Sequence, residues 1–258
     1  MNGAVPDRAW YAAYGSNTHA DRLAHYLRGG RPPGAGRACA GCRDPRPPMA
    51  SVPVELEGTL YFTTESAVWT GGRAFYDPDT PGRVLARAYL LTTAQFSDIA
   101  AQEMYREPGT DLDLTGVLRD GRATLGPGRY ETLVRPGTLD GVPVLTFTAP
   151  WHAADVTPRA PSAGYVRHVA TGLLEAGRWD PATVAGYLAA CPGAAGHWTA
   201  RRIEALITGR PAGPDHPCDP GDADGAGDAD GAGGADGAGG ADGAGGAGDP
   251  DGRGVAGP

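Results

Sequence analysis

Two short stretches of this chain carry residue types that can do chemistry. The first is Trp10-Tyr11-Ala12-Ala13-Tyr14-Gly15-Ser16-Asn17, aromatic and small-apolar up to Gly15 and polar after it. It predicts a buried strand that breaks into a turn. A glycine after a strand permits positive φ, or a close approach of backbone to ligand, because no Cβ is in the way. Ser16 and Asn17 add a hydroxyl and an amide, and Asn17 or Thr18 stands where it would cap a helix starting at Ala20. Exposed N–H groups and a helix N-terminus at the end of a core strand suit a carboxylate. An ordinary capped strand–turn–helix fits the same residues.

The second stretch centres on Glu103. Phe96, Ile99 and Ala100 stand at i, i+3 and i+4 of a predicted helix, a core-facing stripe, and the next position on that stripe is Glu103. A carboxyl group on a buried face needs a partner or a task, since desolvating it is costly. Burial raises its pKa towards neutrality, where it can both accept and return a proton. The alternative is a helix-end glutamate that escapes to solvent or pairs with Arg106.

The elements that must position these residues are legible in outline. A short amphipathic helix is expected over 20–27, stopped by Gly29-Gly30, and a long irregular connection over 31–50. Strands are expected at 52–62, 67–76 and 83–91. Thr93 is placed to cap a helix over 94–106 that ends before Pro108-Gly109. A hairpin is expected over 131–136 and 142–148 around Leu139-Asp140-Gly141. Three helices, over 162–176, 181–190 and 199–207, complete the chain. Strands first and helices last predict an α+β domain with a mixed sheet, barrel-like in part, flanked by helices.

Tyr14-Gly15-Ser16-Asn17 directly after such a strand resembles the signature of the γ-glutamylcyclotransferase-like family. Three further segments match in order. Residues 86–105 resemble the family's strand and catalytic helix without a gap. The family's catalytic glutamate, in a Glu-Gln-Glu-Gly context, falls on Glu103 within Ala101-Gln102-Glu103-Met104. Met104 stands where glycine is usual and Ala101 where an acid is usual, departures that bear on substrate identity. Trp69-Thr70-Gly71-Gly72 resembles the Trp-x-Gly-Gly turn. Pro161-Ser162-Ala163-Gly164-Tyr165 resembles the segment that sets a substrate-contacting tyrosine at a helix start, although Tyr165 also heads an apolar stripe and fits a core role.

The resemblance implies intramolecular cyclisation of a γ-glutamyl amide to 5-oxoproline and a free amine. Glu103 would be the general acid/base, with Tyr11, Tyr14, Gly15, Ser16, Asn17 and Tyr165 around a small γ-glutamyl substrate. No metal or cofactor is implied. The competing expectations are a catalytically idle binding or interaction module on the same fold and a metal-dependent amide hydrolase or deacetylase. The six histidines are scattered and give the last of these no local ligand motif.

Composition sets the remaining limits. The chain has 258 residues and a net charge of −8. Residues 211–258 hold ten Asp, one Arg and tandem Gly/Ala/Asp hexapeptides starting at Asp222, for a net charge of −9. A segment this poor in apolar surface is expected to stay disordered, leaving one folded domain over 1–210 that is nearly neutral. That balance, with no basic stripe interleaved with aromatics, argues against nucleic acid as a partner. All 22 basic residues are Arg, which excludes Lys Schiff-base chemistry and, with abundant Ala, Gly and Pro, suits a GC-rich coding bias. No apolar run reaches membrane-spanning length and no signal core precedes the first strand, so a cytoplasmic location with no membrane partner is expected. Cys39 and Cys42 have knuckle spacing, but Cys191 and Cys218 stand alone, so plain loop or packing cysteines are expected.

Overall fold

The computed structural model describes residues 5–32 and 38–210. The repeat tail expected at 211–258, with Cys218, lies outside the described residues.

The first strand, β1 (Arg8–Ala13), organises the molecule. It pairs antiparallel with β5 (Arg83–Thr92), Tyr11 opposite Tyr89, and parallel with β8 (Val142–Thr148), Trp10 opposite Val144. A strand bonded on both edges and covered on both faces has nowhere to put a polar side chain, hence the apolar run past Arg8. Alternate residues serve opposite cores. Trp10, Ala12 and Tyr14 pack with Val166, Val169 and Leu173 of α4 (Ala163–Glu175). Ala9, Tyr11 and Ala13 pack with Leu23 and Leu27 of α1 (Ala20–Arg28) and with Phe96 and Ile99 of α2 (Thr93–Glu103). Each large side chain so buried contributes about 1.5–3 kcal/mol.

Adding β2 (Ala50–Glu57), β6 (Arg122–Thr124) and β7 (Thr132–Leu139) gives a mixed sheet in the order β2-β5-β1-β8-β7-β6, flanked by helices. This is the α+β arrangement expected. β3 (Thr59–Glu65) and β4 (Gly72–Asp77) form a separate two-stranded ribbon. The main sheet is open and not a closed barrel: among the described residues no ladder joins β2 to β6.

The strand expected over 52–62 is in fact two. Gly58 takes φ +118°, and a Cβ there would lie 2.5 Å from the Asp77 carbonyl oxygen. Glycine alone accepts both conditions, and the break sends β3 into the ribbon. The strand expected from 67 begins only at Gly72, because Ser66–Gly71 closes as a turn through Ser66 N donating to Gly71 O at 2.9 Å. The β7–β8 hairpin turns through Asp140 (φ +51°) and Gly141 (φ +75°), the paired left-handed geometry that an Asp-Gly turn favours. Short α3 (Thr115–Asp120) and β6 are additions to the expected elements, while α5 (Pro181–Ala190) and α6 (Ala200–Thr208) fall where expected.

Candidate active site

Beyond β1 the chain makes a single 3-10 turn over Ser16–Thr18 before α1. Neither Asn17 nor Thr18 caps α1; its N-cap is His19, with no side-chain cap bond. Both are buried and used elsewhere. Thr18 Oγ1 donates to Gly15 O at 2.8 Å and to Val169 O at 3.3 Å, and Tyr89 donates to Thr18 O at 2.9 Å. Close packing of α4 completes the support: a Cβ on Gly172 would overlap the Thr18 carbonyl carbon, 2.5 Å away.

Gly15 has φ −112°, so its role is not a left-handed backbone. A Cβ there would lie 3.2 Å from the Tyr165 hydroxyl, and close approach is the reason for glycine. As N-cap of the 3-10 turn it also offers no side chain to the first N–H groups, at Ser16 and Asn17, which precede the first intraturn bond. His168 fixes the other end of the Ser16–Asn17 peptide: its Nε2 lies 3.0 Å from Ser16 O. Burial pushes the His168 pKa down to about 4, so the ring is neutral and Nε2 must carry the proton to donate.

Glu103 arrives at this turn on the last residue of α2. The helix starts at a capping box built on Thr92, not Thr93: Thr92 Oγ1 accepts from Gln95 N, and Gln95 Oε1 accepts from Thr92 N, both at 3.1 Å. It stops at Glu103, short of the expected 106, in a Schellman motif. Arg106 N donates to Ala101 O at 2.8 Å and Tyr105 N to Gln102 O at 3.2 Å. The left-handed position falls on Tyr105 (φ +59°), while Met104 stays right-handed at φ −79°.

The Glu103 side chain is half-buried and takes a bond from Asn17 Nδ2 at 3.1 Å; the same amide donates to the Tyr11 hydroxyl at 3.2 Å. Arg106 pairs with Glu131 and not with Glu103. Burial pushes the Glu103 carboxyl above the ordinary carboxylate range, against the opposing pull of the Tyr26 hydroxyl, the Arg22 guanidinium, the Asn17 amide and Arg129. Asn17 Oδ1, at the other end of that amide, is buried with no hydrogen-bond partner among the described residues.

One cleft brings together Tyr11, Tyr14, Gly15, Ser16, Asn17, Glu103 and Tyr165, every site residue expected from the sequence. Tyr14 is anchored by donating to Phe147 O at 2.7 Å. Tyr165 accepts from Ala74 N at 3.3 Å and stacks on Trp69 at 5.3 Å. Ala74, Tyr130 and Phe147 also line the cleft and were not anticipated. Tyr130 lies in a loop without periodicity, and Phe147 reads as one more alternating strand residue. A second cleft also borders Glu103 and includes Arg22, Tyr26 and Tyr105.

Fold and cleft together define an α+β protein in which a half-buried carboxyl, in no ion pair with an arginine among the described residues, faces a tight backbone turn. The chain is similar to Histone deacetylase 5 of Arabidopsis thaliana, 29% identical over 197 residues, covering 69% of this chain and 30% of that protein. It thus spans less than a third of that relative's length. No family model matches the chain. Among solved structures it is similar to a protein titled Gamma-glutamyl cyclotransferase, at 16% identity and a TM-score of 0.42, covering 78% of this chain and 99% of the other. An uncharacterized protein from Homo sapiens is similar at 18% identity and a TM-score of 0.43, covering 79% and 99%. No helix among the described residues is long and apolar enough to cross a membrane.

Proposed function

We propose that this chain is a γ-glutamyl amide cyclotransferase that releases 5-oxoproline and a free amine, with Glu103 as general acid/base. The observation that carries this reading is the pair of acceptors on two residues lining the cleft, the half-buried Glu103 carboxyl and the orphaned, buried Asn17 Oδ1. An α-ammonium group would supply a donor to the orphan oxygen and a further one to the carboxyl. The resemblance of Tyr14-Gly15-Ser16-Asn17 and of the Glu103 segment to the family supports the same reading.

In this mechanism Glu103 takes a proton from the α-ammonium, and the freed amine attacks the γ-carbonyl of the same glutamyl group. Collapse of the tetrahedral intermediate breaks the bond to the leaving nitrogen, which receives that proton from Glu103. The ring nitrogen gives up its second proton through the regenerated Glu103 carboxylate to the departing amine, leaving a neutral lactam and an ammonium product. The nucleophile is already attached to its electrophile, so folding the glutamyl chain supplies much of the acceleration. N–H groups at the Gly15–Ser16 turn hold the α-carboxylate or the developing oxyanion. The bond from His168 to Ser16 O keeps that turn in place.

The test is a screen of γ-glutamyl compounds for 5-oxoproline release, with Glu103→Gln as control. Binding without release by the wild-type protein would favour the idle binding module instead. The name of the plant relative raises a deacetylase reading, for which metal content of the purified protein is the discriminating measurement. Asp77, Asp79 and His152 form the one candidate ligand cluster among the described residues. None of them lines either cleft bordered by Glu103. The Asp77 oxygens already accept from Ala153 N, Thr80 Oγ1 and Asp79 N.

A further inference from the structure

The Ser16–Thr18 turn lies along one stripe of α4, and three residues of that stripe are committed to it. His168, Gly172 and Glu175 stand at i, i+4 and i+7, one face of a helix. His168 holds Ser16 O at the near end. Gly172 admits the backbone, since a Cβ there would lie 2.4 Å from His19 N. Glu175, the last residue of α4, takes the far end.

The Glu175 carboxylate gathers three donors from three residues. Its Oε1 lies 3.1 Å from His19 Nε2, and its Oε2 accepts from Ala20 N at 3.2 Å and from Arg87 Nη1 at 3.0 Å. The first N–H groups of a helix need acceptors from outside it, and the N-cap of α1, His19, makes no side-chain cap bond. Glu175 therefore caps α1 from another helix, with its charge at the positive end of the helix dipole. Arg87 extends the hold: the same Nη1 donates to Thr18 O at 3.3 Å, and Nε donates to Ser51 Oγ at 2.7 Å. The His19 ring stacks on the His168 ring at 4.8 Å, with 12° between their planes. A single ion pair at 38% exposure would contribute little. Three donors on one carboxylate, one of them a backbone N–H, act as a geometric restraint instead.

We infer that Glu175 is a positioning residue for the turn: it caps α1 from α4 and, through His19 and Arg87, fixes where the Ser16 and Asn17 N–H groups lie. The consequence for catalysis rests on the cyclotransferase reading, in which those groups meet an anionic part of the substrate. The restraint on the turn does not.

The experiment compares wild type with Glu175→Ala, which removes all three acceptor bonds, and with Glu175→Gln, which keeps the length and one acceptor oxygen without the charge. The first readout needs no substrate. The Nε2 proton of His168, bonded to Ser16 O, should give a resolved imidazole N–H resonance in wild type at neutral pH. That resonance should be lost to exchange in Glu175→Ala and persist, weakened, in Glu175→Gln, while circular dichroism shows both folded. The second readout is kinetic, with γ-glutamyl-ethylamide as the probe. KM should rise about 10-fold in Glu175→Ala with kcat within about threefold, the scale of one weakened hydrogen bond to a charged group, and Glu175→Gln should recover part of the loss. If Glu175→Ala does not fold, Glu175→Gln carries both readouts. A His168 N–H resonance unchanged in the folded variant overturns the positioning role. A lost resonance with unchanged KM keeps the restraint and removes the turn from substrate binding. A lost resonance with no 5-oxoproline from wild type on any γ-glutamyl compound overturns the cyclotransferase reading and leaves the restraint standing.

Discussion

The side-chain amide of Asn17 donates to Glu103 Oε1 at 3.1 Å, joining positions 86 residues apart in the chain. The turn after the first strand and the end of α2 are thereby joined, and the amide oxygen, buried at the other end of the group, has no hydrogen-bond partner among the described residues. Four predictions follow the geometry around that bond.

Glu103→Gln should lower turnover of a γ-glutamyl amide by ~10²–10⁴-fold while leaving ligand affinity within a few-fold. The same substitution should leave the melting temperature at neutral pH unchanged or raise it. The wild-type carboxyl has a raised pKa in the folded state, so the native protein binds its proton more tightly than the unfolded chain does. Wild-type stability from this group is therefore present at acid pH and lost as pH rises through the folded pKa. Thermal melts from acid to neutral pH should show the variant gaining on wild type as pH increases; the opposite slope would contradict the raised pKa.

Asn17→Ala removes the bond to Glu103 and the orphan acceptor together. We expect kcat/KM to drop by ~10–100-fold, the scale of one charge-assisted hydrogen bond. Asn17→Asp is more informative, because a second carboxylate beside Glu103 raises its pKa further. The acid limb of the pH–rate profile should move upward in this variant. A stationary limb would detach Asn17 from the titrating group.

Gly15→Ala places a methyl group 3.2 Å from the Tyr165 hydroxyl if neither moves. Such a contact is tighter than ordinary van der Waals packing, and the cost should be ~1–3 kcal/mol in stability or ligand binding. Tyr165→Phe removes the offending oxygen and should rescue part of that loss. Additive effects in the double-mutant cycle would show that the two residues do not touch in solution.

His168 should titrate near 4 by NMR, well below a free histidine, and stay neutral through the range of activity. A lowered folded pKa contributes stability above the unfolded value of about 6.5 that is lost as pH falls towards 4. His168→Leu, which cannot donate to Ser16 O, should raise KM more than it lowers kcat; His168→Gln keeps a donor and should recover part of the loss. A His168 resonance titrating near 6.5 would remove it from the buried bond.

Much of this site was legible before the structure because it rests on local pattern. The apolar run of β1 followed by Gly15 and the carboxyl on the stripe of Phe96, Ile99 and Ala100 each state a placement in a few residues. The reason for Gly15 was not legible, since the Tyr165 hydroxyl that crowds it comes from 150 positions away in the chain. Gly58 looked like one glycine within a strand, and only the Asp77 carbonyl brought against it makes it a break. His168 reads as one more member of an apolar helix stripe, and its bond to Ser16 O belongs to tertiary packing. Arg22 sits on the polar side of an amphipathic helix, where an arginine needs no explanation. Its place by the Tyr26 and Trp69 rings is visible only once the neighbours are known.

The position of β1 bears on how the protein is made. Its antiparallel partner β5 follows within the next hundred residues, but the Tyr14 hydroxyl reaches its acceptor on Phe147 only across 133 positions of chain. At ribosomal speeds of roughly 5–20 residues per second, that interval is on the order of ten seconds. Through that time the central strand of the finished sheet has one edge bare. Assembly of the turn beyond β1 is thus a late event of synthesis, tied to the emergence of β8.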